Sequence, residues 1–380
     1  MDLTEVRQNI DQIDDEIKKL YLKRMELVSL VTQAKKQTGK ATFDPEREKN
    51  IILRVTDDVD SDKQVYIKRV FETLFETSKA YQTINSEYTS PTVEKLKTAI
   101  SNGFKAFPIR AKVACQGVEG ANSGLAAEKL FEIADITYFK NFEGVMNAVE
   151  KGFCKYGVLP IENSYAGSVN AVYDLMKEHK FYIVKSLRMP IYHNLIVNNG
   201  TDFKDIKEII SHEQAINQCR KYLEKFSGVK ITPVANTAVA SRMVKESGRS
   251  DLAALSSREC AEYYGLKILD ADVQDSNANY TRFIVIAKDL ELFDGAKKLS
   301  IMTTLPHTPG SLYKLLAKFY SLGINLTKLE SRPMTGANFE FMFYFDFEGD
   351  IKSQAVLNLI AELDVGTEAF TFLGAYNEVL

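Results

Sequence analysis

Arg24 stands where an apolar side chain is due. The apolar positions run Leu3, Val6, Ile10, Ile13, Ile17 and Leu20, then Leu27, Val31 and Ala34, in steps of three and four, and Arg24 keeps the register across the gap. A charge at a seam position costs free energy unless it is paired. A register-fixing polar residue in a coiled coil would explain Arg24 alone, but its neighbours have no use in a plain coil. Lys35 lies three turns further along the same face, ~16 Å along the axis, so two cationic side chains leaning inward can grip a small dicarboxylic acid. Asp44, Arg47 and Glu48 open the next helical stretch, and Ser78 and Gln82 fall one turn apart on a third. The set supplies cations, hydrogen-bond donors and carboxylates without a nucleophile–base pair. With no such pair the set gives no sign of nucleophilic catalysis.

The elements that must position these residues follow from periodicity. Residues 1 to about 90 read as three amphipathic helices: one ending near Gly39, one opened by Asp44 as N-cap with Pro45 at the first helical position, and one following Ser61-Asp62. Their stripes must be buried against one another or against a partner chain. Residues 91–109 read as a linker. Residues 110–290 alternate short β-rich runs with helical stretches, an α/β pattern compatible with two lobes around a cleft. Residues 297–380 read βαββαβ, a ferredoxin-like order, with a Phe-rich strand from Phe339 to Phe347 and a last strand from Phe370 to Leu373.

The chain has 380 residues, 45% hydrophobic and 26% charged, enough for two or three domains. A net charge of -3 with mixed signs gives no field to steer nucleic acid or an anionic membrane. The first residues carry no signal pattern, and no apolar run approaches the roughly 20 residues of a membrane span. Four scattered cysteines without a CxxC pair fit a reducing, cytoplasmic setting and argue against disulfides or structural zinc. Ser211-His212-Glu213-Gln214-Ala215-Ile216 lacks the second histidine of a zinc-protease HExxH, so no metal is expected, and its first four residues read as a capping box.

Further strings carry chemistry. Gly117-Val118-Glu119-Gly120-Ala121-Asn122-Ser123 joins a strand to a helix, leaving backbone N–H groups to face an anion. Pro160-Ile161-Glu162-Asn163-Ser164, the helix from His212 to Gln218, and Asn279-Tyr280-Thr281-Arg282-Phe283 follow in order; on a strand Asn279, Thr281 and Phe283 share one face. His307-Thr308-Pro309-Gly310-Ser311-Leu312 and Leu329-Glu330-Ser331-Arg332-Pro333 punctuate the C-terminal segment.

The helical set, Arg7, Arg24, Lys35, Asp44-x-x-Arg47-Glu48 and Ser78-x-x-x-Gln82, resembles the all-helical class of chorismate mutase over the first 85 residues or so. The central strings resemble prephenate dehydratase, and the C-terminal pair resembles the motifs of ACT domains in phenylalanine-inhibited dehydratases. The resemblance implies a multi-domain chain: an all-α mutase module at 1–90, a two-lobed α/β dehydratase domain like type 2 periplasmic binding proteins at 110–290, and an α+β ferredoxin-like ACT module at 297–380. It implies that Arg7 and Arg24 hold the two carboxylates of chorismate with Ser78 assisting. Lys35 and Gln82 would donate to the ether oxygen, Asp44 and Glu48 would meet the ring hydroxyl, and Arg47 would support them. In the second domain Thr281 would donate to the leaving hydroxyl of prephenate, with no cofactor required. Asn163, Gln218, Ser123 and Arg282 would line the pocket, with Glu162, Ser164 and His212 as further substrate-binding candidates. Gly310, Ser311, Leu312, Glu330, Ser331, Arg332 and Pro333 would bind the effector L-phenylalanine. Cys115 and Asn122 stand where the family usually has aromatics, and Gly124 where it has a larger polar residue, so stacking beside the glycine loop is expected to be weaker than in the family.

Arg7 and Arg24 lie on one straight helix, about 25 Å apart, too far to serve one small ligand. If both act, Arg7 comes from a second chain, so a homo-oligomer, dimer or tetramer, is expected. Arogenate as the second substrate, and an amino-acid-sensing protein without catalysis, are the competing expectations.

Overall fold

The structure is a computed structural model that describes residues 2–38, 45–84, 89–276, 278–334 and 341–380. The chain divides into two compact units, residues 1–97 with 302–371 and residues 98–301 with 372–380. No helix among the described residues is long and apolar enough to cross a membrane.

The first unit begins with α1 (Leu3–Thr38), α2 (Pro45–Thr56) and α3 (Ser61–Ile84). Tyr21, Arg24, Met25, Val28 and Ser29 form the partly covered face of α1, and Arg24 and Met25 reach Ser78 on α3. Towards its N-terminus the apolar stripe is left largely open by the described residues: Ile10, Ile13, Ile17 and Leu20 are 51%, 56%, 58% and 66% exposed.

The segment read as a linker contains a helix, α4 (Pro91–Ser101). Ser90 Oγ accepts from Val93 N at 3.2 Å, Thr89 Oγ1 donates to the Glu94 carboxylate, and Val93 and Leu96 are fully buried. The Ser-Pro-x-x-Glu spacing is a helix start that the sequence reading passed over.

The second unit holds two lobes. The first has β1 (Arg110–Gln116), α5 (Asn122–Leu130), β2 (Ile133–Phe139), α6 (Phe142–Glu150), β3 (Tyr156–Asn163), β4 (Gly167–Ser168), α7 (Asn170–Leu175) and β5 (Tyr182–Pro190). The second has β6 (Asn194–Val197), β7 (Glu208–Ser211), α8 (Glu213–Gln218), α9 (Arg220–Leu223), β8 (Lys230–Pro233), α10 (Thr237–Ser247), β9 (Leu252–Ser256), α11 (Arg258–Tyr264) and β10 (Lys267–Asp270). The chain then returns to the first lobe as β11 (Tyr280–Ala287). The first sheet runs β5-β11-β3-β1-β2 and the second β10-β6-β9-β7-β8. Two crossovers therefore link the lobes, from β5 to β6 and from β10 to β11. The first lobe's core packs Val113, Val158, Leu187, Phe283 and Val285, while the second lobe buries both faces of its sheet.

The chain ends with β12 (Lys298–Thr304), α12 (Ser311–Ser321), β13 (Leu326–Pro333), β14 (Phe341–Glu348), α13 (Gln354–Gly366) and β15 (Phe370–Val379), ordered β13-β14-β12-β15. This is the ferredoxin-like arrangement. Phe319 of α12 covers the aromatic stripe of β14, 5.8 Å from Phe345 and 5.2 Å from Phe347 between ring centroids; Phe339 and Glu340 lie outside the described residues. In the first unit α3 packs against both α12 and α13, and Thr92 N donates to Asp364 Oδ2 at 3.1 Å.

The last strand runs beyond the expected Leu373. Gly374, at φ +150°, lets the strand pass the Ile183 carbonyl, which any Cβ would strike, and Asn377 to Val379 then pair in parallel with Lys185 to Leu187 of β5. The extension brings Glu378 into a buried ion cluster. Its carboxylate lies 2.8 Å from Arg282 Nε, 2.9 Å from Lys298 Nζ and 3.1 Å from Arg188 Nε. Burial alone would raise its pKa, but the attraction of Arg282, Lys298 and Arg188 outweighs that and holds it below the ordinary 4.5. The cluster's stability is thus fully present above pH 4.5 and is lost as acidification carries the pH through the lowered folded value. Glu378→Gln leaves two buried cations short of their counter-charge, and chemical denaturation at neutral pH is expected to show a loss of about 3–5 kcal/mol. A loss under about 1 kcal/mol would mean that solvent already screens the cluster.

Candidate active sites

The helical site is built on α3. Arg24 Nη1 donates to Ser78 Oγ and, at 3.1 Å, to the Leu74 carbonyl, and the guanidinium lies 5.9 Å from the Phe75 ring centroid. Burial pulls the Arg24 pKa below its ordinary value, against a smaller opposing contribution from Tyr21. Its Nε and Nη2 hydrogens have no acceptor among the described residues, so a half-buried cation keeps donors for an anionic ligand. Ser78 and Gln82 are both buried, one turn apart.

Glu48 does not join Arg24. Its carboxylate is held by Lys79 of α3 at 2.7 Å. Arg47 turns elsewhere, onto an open concavity of about 460 Å³ lined with Glu46, Asn50, Ile51 and Arg54. Arg7 is exposed far along α1 from Arg24, so one chain does not unite them. Asp44 and the side chain of Lys35 lie outside the described residues.

The second site gathers at the lobe crossovers. Asn163, at the end of β3, pairs in register with Thr281 near the start of β11. Asn163 Oδ1 accepts from the backbone N–H groups of Tyr165 (3.0 Å) and Ala166 (2.9 Å) and from Gln214 Nε2 (3.0 Å). Its Nδ2 donates to Asn279 Oδ1 at 2.9 Å and to Thr281 Oγ1 at 3.0 Å. Thr281 Oγ1 is therefore an acceptor here, and its own hydrogen has no acceptor among the described residues. A bound substrate oxygen can take it. Asn279 Nδ2 donates to Gln218 Oε1 at 3.0 Å, and His193 Nε2 lies 2.8 Å from the same oxygen. All five side chains, Asn163, His193, Gln218, Asn279 and Thr281, are at most 9% exposed.

The glycine loop is clasped from the second lobe. Cys260 Sγ donates to Gly120 O at 3.1 Å and Tyr264 OH to Glu119 O at 3.0 Å. Gly120 sits at φ +81°, and a Cβ there would lie 2.8 Å from Cys260 Sγ. Ser123 is buried in the first turn of α5, where backbone N–H groups lack intrahelical partners. Two of the three departures named from the sequence, Cys115 and Gly124, have a local account. Cys115 is buried with its thiol on the Ser123 carbonyl at 3.4 Å, and the Tyr138 hydroxyl fills the space a side chain at Gly124 would take.

Four expected substrate ligands are otherwise engaged. Arg282 faces away from Thr281, as strand alternation requires, and its guanidinium binds Glu378 and, at 2.8 Å, Tyr376 OH. Glu162, its register partner on β3, lies on that same far face. Ser164 Oγ donates to Ala278 O at 2.8 Å and accepts from Tyr280 N at 2.9 Å, tying the ends of β3 and β11 together. His212 is the N-cap of α8, accepting from Gln214 N at 3.3 Å. The capping-box reading is corrected with it, because Ser211 Oγ instead donates to Leu255 O at 2.7 Å and the Gln214 side chain reaches Asn163. His193 and Gln214 were missed. A lone histidine after a strand carries no periodic signal, and Gln214 was absorbed by the capping pattern.

In the C-terminal module Gly310 precedes α12 at φ +85°, a conformation that favours glycine, and Thr308 Oγ1 and Ser311 Oγ are 2.8 Å apart. Leu312 follows Ser311 in the first turn. The string Glu330 to Pro333 lies on β13, an edge strand, with Glu330 and Arg332 on one face and Ser331 and Pro333 on the other. Glu330 is 3.8 Å from Lys328.

Residues 6–83 match the family chorismate mutase type II, and residues 113–291 match the family prephenate dehydratase. A bifunctional chorismate mutase/prephenate dehydratase of Aquifex aeolicus (strain VF5) is 31% identical over 381 residues, covering 100% of this chain and 99% of that protein. Arogenate dehydratase/prephenate dehydratase 2, chloroplastic, of Arabidopsis thaliana is 35% identical over 294 residues, 74% of this chain and 75% of that protein. The crystal structure of prephenate dehydratase in complex with L-Phe from Arthrobacter aurescens is 28% identical, with a TM-score of 0.64, covering 70% of this chain and 89% of that one. With two such family matches in sequence and a bifunctional relative alike from end to end, the chain belongs to the bifunctional chorismate mutase/prephenate dehydratase family.

Proposed function

We propose that this enzyme rearranges chorismate to prephenate in its helical module and converts prephenate to phenylpyruvate between the lobes of its second unit, with L-phenylalanine as the effector of a C-terminal ACT module. The observation that carries the second step is the Asn163–Thr281 pair, which leaves the threonine hydroxyl hydrogen for a substrate oxygen. In that step the ring C–O bond breaks and the leaving oxygen gains a proton. The electron pair of the C–COO⁻ bond enters the ring, so water and CO₂ depart and an aromatic ring remains. A threonine hydroxyl is too weak an acid to be the net proton source; it donates a hydrogen bond to the departing oxygen, and the one proton the step consumes comes from the buffered solvent. Asn163 fixes the hydroxyl's direction, and Gln218 and the first turn of α5 at Ser123 are placed to meet the substrate's polar groups.

The mutase step needs no proton transfer. Arg24 and Ser78 hold a carboxylate, Gln82 and Lys35 donate to the ether oxygen, and Asp44 and Glu48 meet the ring hydroxyl with Arg47 in support, for which Glu48 must exchange its Lys79 ion pair and Arg47 turn from the concavity it lines. The uncovered stripe of α1 supports a dimer in which a second copy buries it and supplies Arg7. The strings at Gly310–Leu312 and Glu330–Pro333 are the proposed phenylalanine site, resting on their resemblance and on the L-Phe complex of the Arthrobacter aurescens enzyme.

The test feeds purified protein chorismate and follows chorismate loss and phenylpyruvate formation separately, with and without phenylalanine. Both are expected, with phenylpyruvate formation slowed by phenylalanine. Accumulation of prephenate alone would remove the dehydratase assignment. The likeness to plant arogenate dehydratases makes arogenate the second substrate to offer; faster turnover of arogenate than of prephenate would reassign the second step.

A further inference from the structure

The hydrogen-bond directions around Asn163 can be fixed without seeing a hydrogen. Backbone N–H groups only donate, so the Asn163 atom that meets Tyr165 N and Ala166 N must be its oxygen. Its nitrogen is then the atom facing Asn279, at 2.9 Å, which makes the near atom of Asn279 an oxygen. The other end of Asn279 is therefore its NH₂, donating at 3.0 Å, and the near atom of Gln218 is in turn an oxygen. That oxygen also lies 2.8 Å from His193 Nε2. An acceptor needs a donor, so Nε2 carries the hydrogen. Two backbone amides at the end of β3 thus set the tautomer of a histidine on the crossover to the second lobe.

We propose that His193 is a positioning residue for the dehydratase step: its Nε2–H anchors the Gln218 carbonyl, so that the Gln218 NH₂ is presented to the substrate. Asn279 Nδ2 already decides which end of the Gln218 amide is the oxygen; the His193 donor adds a second bond to that oxygen and holds the side chain in place. The Gln218 nitrogen makes two long hydrogen bonds, 3.4 Å to Asn279 and 3.5 Å to Asn163, which a substrate acceptor can displace. The two donors on Gln218 Oε1 hold the carbonyl end, and the more weakly held NH₂ end is the one left for the substrate. His193 itself is held in place from both sides: it is 4% exposed, its backbone N–H donates to Gln274 Oε1 at 2.9 Å, and its carbonyl accepts from Val273 N at 2.8 Å. A fixed imidazole is what an amide clamp requires, since a mobile one would transmit no orientation. Burial, which lowers the His193 pKa despite the Gln218 hydrogen bond, keeps the ring neutral.

This proposal rests on the dehydratase reading, and wild-type phenylpyruvate formation tests that reading separately. With an active wild type, His193→Leu is expected to lower kcat/KM for prephenate about 10- to 100-fold, the effect of one hydrogen bond to an oriented polar group. His193→Gln, which retains an N–H donor, should restore most of it. In a Gln218→Leu background, His193→Leu should add little further loss, because both substitutions remove the same interaction. Equal losses in His193→Leu and His193→Gln, or losses that multiply in the double variant, would overturn the proposal. Nitrogen NMR of the wild-type protein with labelled histidine gives an answer that does not depend on any variant folding: the Nε2–H tautomer is required, and Nδ1–H excludes the clamp.

Discussion

Thr281→Ala is expected to stop phenylpyruvate formation while chorismate continues to disappear at the wild-type rate, so that prephenate accumulates. The hydroxyl is one of the few donors in a site otherwise dominated by amides, and its geometry makes the expectation specific. Asn163 Nδ2 donates to Thr281 Oγ1, and Asn163 is itself pinned by the two amides that follow it. The threonine hydrogen can then point only away from Asn163. Loss of a positioned donor to a leaving oxygen costs about 10²- to 10⁴-fold in rate. Thr281→Ser keeps the hydroxyl but gives up the methyl group that restricts its rotamer, so it should retain far more activity than the alanine variant. If serine and alanine were equally poor, orientation by packing would matter more than the donor. If the alanine variant also lost mutase activity while remaining folded, the assignment of the two steps to separate sites would fail.

The sequence made some of this site legible and hid the rest for physical reasons. Asn279 and Thr281 were readable as same-face residues because strand alternation is strict, and the register with Asn163 puts them together. The same alternation already placed Arg282 on the opposite face. What the sequence could not supply was a partner there: Glu378 arrives from the last strand, which extends because Gly374 passes a carbonyl that no side chain would clear. A buried arginine next to Thr281 in one motif reads as a substrate ligand until its counter-ion is seen. His212 and Ser164 were similarly claimed by motif position, and each proves to satisfy backbone groups. In the helical module periodicity gave three helices and the polar set on them, yet not that Glu48 is held by Lys79. The long pairing depends on how two amphipathic helices face each other, which periodicity leaves open.

The largest effect in the helical module is expected at Arg24, and it can be made to report on a second chain. Arg24→Ala removes a half-buried cation that retains donors for a carboxylate and takes from Ser78 the donor that orients it, so mutase activity should fall by about 10³-fold or more, with phenylpyruvate formation from supplied prephenate retained. Arg7→Ala should do the same by a different route. On the axis of α1 the two arginines are about 25 Å apart, so one chain cannot bring both to one small ligand. The uncovered residues Ile10, Ile13, Ile17 and Leu20 lie on α1 between them, where a second copy would bury apolar surface and deliver its own Arg7 beside the first copy's Arg24. In such a dimer each site takes Arg24 from one chain and Arg7 from the other. Two inactive variants, Arg24→Ala and Arg7→Ala, unfolded and refolded together, would then form mixed dimers in which one site has lost both arginines and the other has lost neither. Random assortment puts half the dimers in that class, so mutase activity should return to about a quarter of the wild-type value. No recovery on mixing, in protein that sedimentation shows to be dimeric, would place both arginines in the same chain's site or remove Arg7 from it.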